Sequence, residues 1–217
     1  MMPEGNFFGI MDWINCHPEI IIPENLMLSE IQELEKILNE KDSFHRSKRV
    51  KDSHFLFYLP EGLNLKKFEE LYPATNPTVR LRTYTNQERR CWYGEKNFIK
   101  EQGMGRWYLG FQKVMPDSIG KQYEESRTMI PPNYEVPTSL QAIAMHLLFA
   151  AKNGKALNPT YVGRVASVNN ENRITIGRFN HLGLYIGNAD DDEEDLDLGL
   201  FVFRKLKQEP KKQIANQ

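Results

Sequence analysis

At 217 residues, with 40% hydrophobic and 26% charged content, the chain can bury a sizeable core and suits one domain better than two. Its 28 basic and 29 acidic residues nearly cancel, which excludes a global field that would draw it to nucleic acid or to an anionic bilayer. Cys16 and Cys91 are too far apart for a zinc or redox motif and too few for a disulfide scaffold, and no apolar run reaches membrane-spanning length.

The first residues carry no basic cluster, and the apolar run after them breaks at Asp12, which argues against a secretory signal. The expected setting is cytoplasmic, with free thiols, no cofactor and no membrane partner. Residues 6–16 predict a short helix ending at His17-Pro18. Leu28, Ile31, Leu34, Ile37 and Leu38 fall at the helical repeat, with Glu30, Glu33, Glu35 and Lys36 opposite, so an amphipathic helix follows. Residues 41–53 turn polar and charged and read as a loop.

The bulky run Phe55, Leu56, Phe57, Tyr58 predicts a strand closed by Pro60. Asn64 is placed to cap a helix that Pro73 stops. Alternation over residues 79–85 predicts a half-exposed strand, and a further strand is expected over 106–114. Pro131, Pro132 and Pro137 make residues 128–137 an extended connector without regular structure. Thr138 with Gln141 three residues on forms a capping-box signature for a helix that is apolar nearly all round, and Asn153-Gly154 supplies its stop.

Four strands then follow, over 161–168, 173–179, 184–186 and 200–204, joined by turn-prone segments that favour antiparallel pairing. The fold class expected is α+β: N-terminal helices, a mixed middle section, and a buried C-terminal helix packed on an antiparallel meander. The expected organisation is a single domain over residues 1–206, divided into a helical arm (1–43), a mixed section (54–127) and the helix with its meander (138–206). A disordered tail over 207–217 completes it.

Three clusters are candidate sites. Arg80, Arg82, Arg89 and Arg90 with Trp92, amid further aromatic residues up to Tyr108, combine charge for phosphates with rings for bases, and Arg46, Lys48, Arg49 and Lys51 add to that field. The plainer reading, an exposed strand face over a core of aromatics, is favoured because no nucleic-acid motif accompanies the patch. The acidic run holding Asp190, Asp192 and Asp195 offers carboxylates to a hard cation, but its spacing fails the EF-hand pattern and fits a solvated loop.

The third cluster is Arg164, Arg178 and His181, with Arg173 and Arg204 nearby, which would converge on an anion if the strands pair as expected. Against this, Arg173 and Arg178 suit ordinary ion pairs with the acidic loop. Alternation sets Arg164 with Val162, Ala166 and Val168, making it semi-buried. No phosphate-binding loop, dinucleotide fingerprint, nucleophile elbow or paired zinc histidines occur. Cys91 beside Arg89 and Arg90 has the surroundings of an activated thiol, with His45 or His54 as partner, yet a cysteine next to Trp92 is more often core.

The succession Glu135-Val136-Pro137-Thr138, Tyr161-Val162-Gly163-Arg164, Ile176-Gly177-Arg178-Phe179, Gly183-Leu184 and Gly199-Leu200 up to Arg204-Lys205 resembles a group of uncharacterised bacterial proteins. The resemblance spans about Trp107 to Lys205, roughly half the chain, and implies a transferable unit without implying an activity. The expectation is a non-enzymatic binding or interaction module for a protein or anionic ligand. The alternatives are an enzyme acting on an anionic or phosphorylated substrate at Arg164, Arg178 and His181, and a nucleic-acid accessory protein.

Overall fold

A computed structural model describes residues 3–22, 28–73, 75–76, 78–81 and 97–207. The chain is α+β and builds two sheets around one helix. The first sheet contains β1 (Phe7–Phe8), β2 (His54–Leu59), β3 (Arg106–Phe111), β4 (Tyr134–Glu135) and β9 (Phe203–Arg204), in the order β1-β2-β3-β9-β4. The second contains β5 (Val162–Asn169), β6 (Asn172–Asn180), β7 (Gly183–Ala189) and β8 (Leu198–Leu200), in the order β7-β6-β5-β8.

All six residues of β2 are buried, so this strand is covered on both faces and shows no apolar-polar alternation. It pairs antiparallel with β3, placing Phe57 opposite Tyr108. Phe57 also meets Phe203 edge-on at 5.9 Å between ring centres. Truncating a wholly buried phenylalanine of this kind typically costs about 3–5 kcal/mol, which locates much of the cohesion in these paired aromatics.

Helix α1 (Ile10–Cys16) follows β1 directly; Asp12 accepts from the Gly9 N–H at 2.8 Å and fixes its start. Trp13 anchors it by donating its indole N–H to the Tyr58 carbonyl at 2.8 Å. Helix α2 (Leu28–Leu38) buries Leu34, Ile37 and Leu38, the face its periodicity predicts. One turn of helix, α3 (Val50–Ser53), lies within the segment expected to be loop. In α4 (Leu65–Leu71) the Asn64 side chain accepts from the Lys67 N–H at 2.9 Å, as its position foretold.

After β3 come α5 (Tyr123–Thr128) and then α6 (Ser139–Asn153). Helix α6 touches β1, β2 and β3 of the first sheet and β5, β6 and β7 of the second. A helix enclosed from both sides has no side to present to water, which explains why Met145 and Phe149 are apolar where a surface helix would be polar. Gly110 permits the close approach: a Cβ there would lie 2.3 Å from the Met145 sulfur.

The N-terminus of α6 is satisfied from three directions. Gln141 accepts from the Thr138 N–H at 2.9 Å, Ser167 from the Ser139 N–H at 2.9 Å, and Glu101 from the Leu140 N–H at 2.9 Å. Only the first partner is local. At the other end Gly154 adopts φ 64° and returns its N–H to Ala150.

Several expectations are corrected. Only β5, β6 and β7 form the antiparallel meander; β8 lies parallel to β5, and β9 leaves for the first sheet. The helix is therefore shared between two sheets. The connector 128–137 contains β4, whose pairing with β9 gives it order that its prolines do not advertise. The strand expected over 106–114 ends at Phe111. Of the one expected over 79–85, Leu81 bridges Leu184, and residues 82–85 lie outside the described residues, as does the tail from 208.

Candidate functional site

The arginines of the second sheet are engaged by the chain itself. Arg164, on β5, is 1% exposed. Its guanidinium donates to the Lys121 carbonyl at 3.0 Å, to the Asp190 carbonyl at 3.3 Å and to the Glu193 carbonyl, while Nε has no partner among the described residues. Alternation predicted a semi-buried side chain. The burial is complete because the loop between β7 and β8 folds over it, tied by main-chain oxygens that leave no mark in a sequence.

Arg173 grips Asp191 with two parallel bonds of 3.1 and 2.9 Å and lies 3.8 Å over the Tyr123 ring. Arg178 pairs with Asp197. It sits at φ 41°, next to Gly177 at φ 151°, where the β6–β7 register shifts. A Cβ on Gly177 would meet the Tyr161 carbonyl oxygen at 2.3 Å, so the bulge requires glycine. His181 is exposed in the turn after β6, and its carbonyl accepts from Arg80. Arg164, Arg178 and His181 thus have separate partners: Arg164 and Arg178 engage different residues of the loop between β7 and β8, and His181 engages Arg80.

Asp190, Asp192 and Asp195 are exposed on the loop, and among the described residues no group of three His, Cys, Asp or Glu side chains is placed to hold a metal ion. In the basic-aromatic stretch, Arg82, Arg89, Arg90, Cys91 and Trp92 lie outside the described residues. Of the members that are described, Arg80 stays at the surface and donates to the His181 carbonyl, while the aromatic ones turn inward. Arg106 donates to the Tyr108 hydroxyl at 2.9 Å, and Phe98, Trp107 and Tyr108 are buried. Buried rings offer no platform for bases.

A shallow groove of about 430 Å³ runs between Glu19–Ile21 and the start of α4. Its walls mix Glu19, Glu61 and Glu70 with Lys66 and Lys67 and so carry no single sign. Among the described residues no helix is long and apolar enough to cross a membrane.

The surface with a consistent chemistry is the loop over residues 41–51. It carries Lys41, Arg46, Lys48, Arg49 and Lys51 and one acid, Asp42. Lys41 bridges Arg49 antiparallel, and the Asp42 N–H donates to the Lys48 carbonyl at 3.0 Å, which closes the segment into a hairpin-like turn. Asp42 is 2% exposed and receives the Phe44 N–H at 2.8 Å. Phe44 packs at 4.7 Å on Phe111 and 4.9 Å on Tyr134, and Val50 is wholly buried. With these residues facing in, Lys41, Arg46, Lys48 and Arg49 face out.

None of the five cations forms a carboxylate ion pair among the described residues: of the flanking acids, Glu40 is taken by Arg204, and Asp52 accepts the Arg49 main-chain N–H at 3.1 Å. Asn39 gathers two of them: its side-chain oxygen accepts from Lys51 at 3.3 Å and from Arg49 at 3.5 Å. The two cationic heads are thereby held beside one neutral atom.

Beneath the loop lies a buried polar network. The His54 Nδ1–H has the Ser53 hydroxyl at 2.9 Å and the Val50 carbonyl at 3.2 Å. A carbonyl can only accept, so Nδ1 carries the proton and Nε2 accepts from the Tyr134 hydroxyl at 3.0 Å. Burial lowers the His54 pKa to about 4, against an opposing pull from Asp42. The imidazole stays neutral and braces the loop against β4.

The sequence had marked Arg46, Lys48, Arg49 and Lys51 as an addition to the downstream patch. It missed Lys41 and Asn39, whose roles follow from the bridge and the shared hydrogen bonds. The available signal was the ratio of five cations to one acid over residues 41–51. Compared with known proteins, the chain matches no protein family, no curated protein and no solved structure.

Proposed function

We propose that the protein is a non-enzymatic binding module that takes an anionic partner on the loop of residues 41–51. The observation that carries this reading is the contrast between an underside of buried rings and a neutral histidine network and an outer set of cations that pair with no carboxylate among the described residues. Ordering long basic side chains next to one another costs free energy through mutual repulsion, and a bound anion relieves it. The arginines on β5 and β6 are poorer candidates because each is already engaged by carbonyls or carboxylates of the chain itself.

The test is retention on immobilised heparin at low salt, compared with the Lys48→Ala/Arg49→Ala double variant. The wild type is expected to be retained and to elute as salt screens the contact; the double variant is expected in the flow-through with an unchanged melting temperature. Equal elution of the two proteins would refute the reading.

A further inference from the structure

The chemistry of the same loop narrows the partner, in an inference that rests on the binding role just proposed. We infer that the anion is the phosphate backbone of a nucleic-acid duplex, contacted without reading its bases.

The argument turns on what the loop leaves out. Firm attachment to a bilayer adds apolar side chains that enter the headgroup boundary to any attraction between charges, and a protein interface typically centres on a buried aromatic or aliphatic anchor. Between residues 41 and 51 no large hydrophobic side chain is exposed: Phe44 lies against Phe111 and Tyr134, and Val50 is covered. Single strands are held largely by stacking on exposed rings, and this surface has none to give. His45 is drawn 5.6 Å from the Phe111 ring.

What remains is charge with hydroxyl donors, the chemistry that phosphodiesters recognise. Ser47 is exposed between Arg46 and Lys48. Lys51 and Arg49 converge on Asn39 at 3.3 and 3.5 Å, close enough for one phosphate to accept from both in place of the amide oxygen. Lys41 and Arg49, across their bridge, extend the cationic ridge along the hairpin. The near-zero net charge of the chain does not weaken this, since phosphate contacts respond to local charge within a Debye length.

The experiment measures binding of the full chain to a fluorescent mixed-sequence DNA duplex, to a single strand of the same length, and to phosphatidylserine vesicles, across a salt series. Duplex binding is expected to weaken with salt, to be indifferent to sequence, and to exceed binding to the single strand or the vesicles. Arg49→Ala/Lys51→Ala should reduce the steepness of log K against log salt by about 1 for each cation removed. An unchanged melting temperature shows that this variant still folds.

Three results would overturn the inference: no duplex binding at low salt, preference for the single strand or the vesicles, or a slope unaltered by the double substitution. If the duplex fails while heparin retention still depends on Lys48 and Arg49, the anion-binding role stands and only the nucleic-acid assignment falls. Loss of both removes the two together.

Discussion

The two charged loops of this protein, residues 41–51 and 190–197, are built in opposite ways. The acidic loop lies over cations: Arg164 holds its main chain, and Arg173 and Arg178 take Asp191 and Asp197. The basic loop lies over Phe111, Tyr134 and a neutral histidine, and its cations pair with no carboxylate among the described residues. A run of like charge therefore says little about its availability. What decides is whether the strands under the run carry the opposite sign.

The sharpest way to break the comparison is to remove the buried clamp. Arg164→Ala would remove the guanidinium donors from the Lys121, Asp190 and Glu193 carbonyls and open a cavity, and is expected to destabilise the fold by about 3–5 kcal/mol in urea unfolding. If the loss is under about 1 kcal/mol, the acidic loop does not depend on Arg164 and the contrast between the loops disappears.

Acid should act next. His54 and His146 are both held near a pKa of about 4 by burial, against 6.5 when unfolded. Between those values the unfolded chain binds more protons than the folded one, so stability present above pH 6.5 is lost as pH falls towards 4. Each histidine contributes up to about 3 kcal/mol to that loss. Because His54 links Tyr134 to Val50, the basic loop should loosen in acid, visible as faster hydrogen exchange of the Phe44 and Lys48 amides. Unfolding curves that coincide at pH 7 and pH 4.5 would show that neither histidine is shielded.

Neutralising one surface pair should do least. Asp197→Asn removes the partner of the partly exposed Arg178 and should cost about 0.5 kcal/mol, a difference that vanishes at high salt. A larger, salt-independent loss would mean that the acidic loop is fixed by its side chains and not by the main-chain grip of Arg164.

The elements legible in the sequence are those with a long periodic signal. Helix α6 announces itself through Thr138, Gln141 and Gly154, and β5 to β7 through turn residues such as Asn170 and Asn180. The two-residue strands β1, β4 and β9 are too short to show any period, and β8 pairs parallel across a long separation that no turn signals. For the site, composition exposed the charges of both loops. It could not show that Glu40 turns to Arg204 or that Phe44 points inward, because both depend on strands far along the chain.

The position of β9 has a consequence for how the molecule is made. It lies between β3 and β4, so residues 203–204 join stretches synthesised long before. During translation the meander β5 to β7 can close as soon as it leaves the ribosome, while β4 has no hydrogen-bonding neighbour until Phe203 and Arg204 emerge. Until then β3, paired with β2 on one side, keeps its other edge open at Leu109 and Gly110, and an unpaired strand edge of this kind is a site for association between nascent chains.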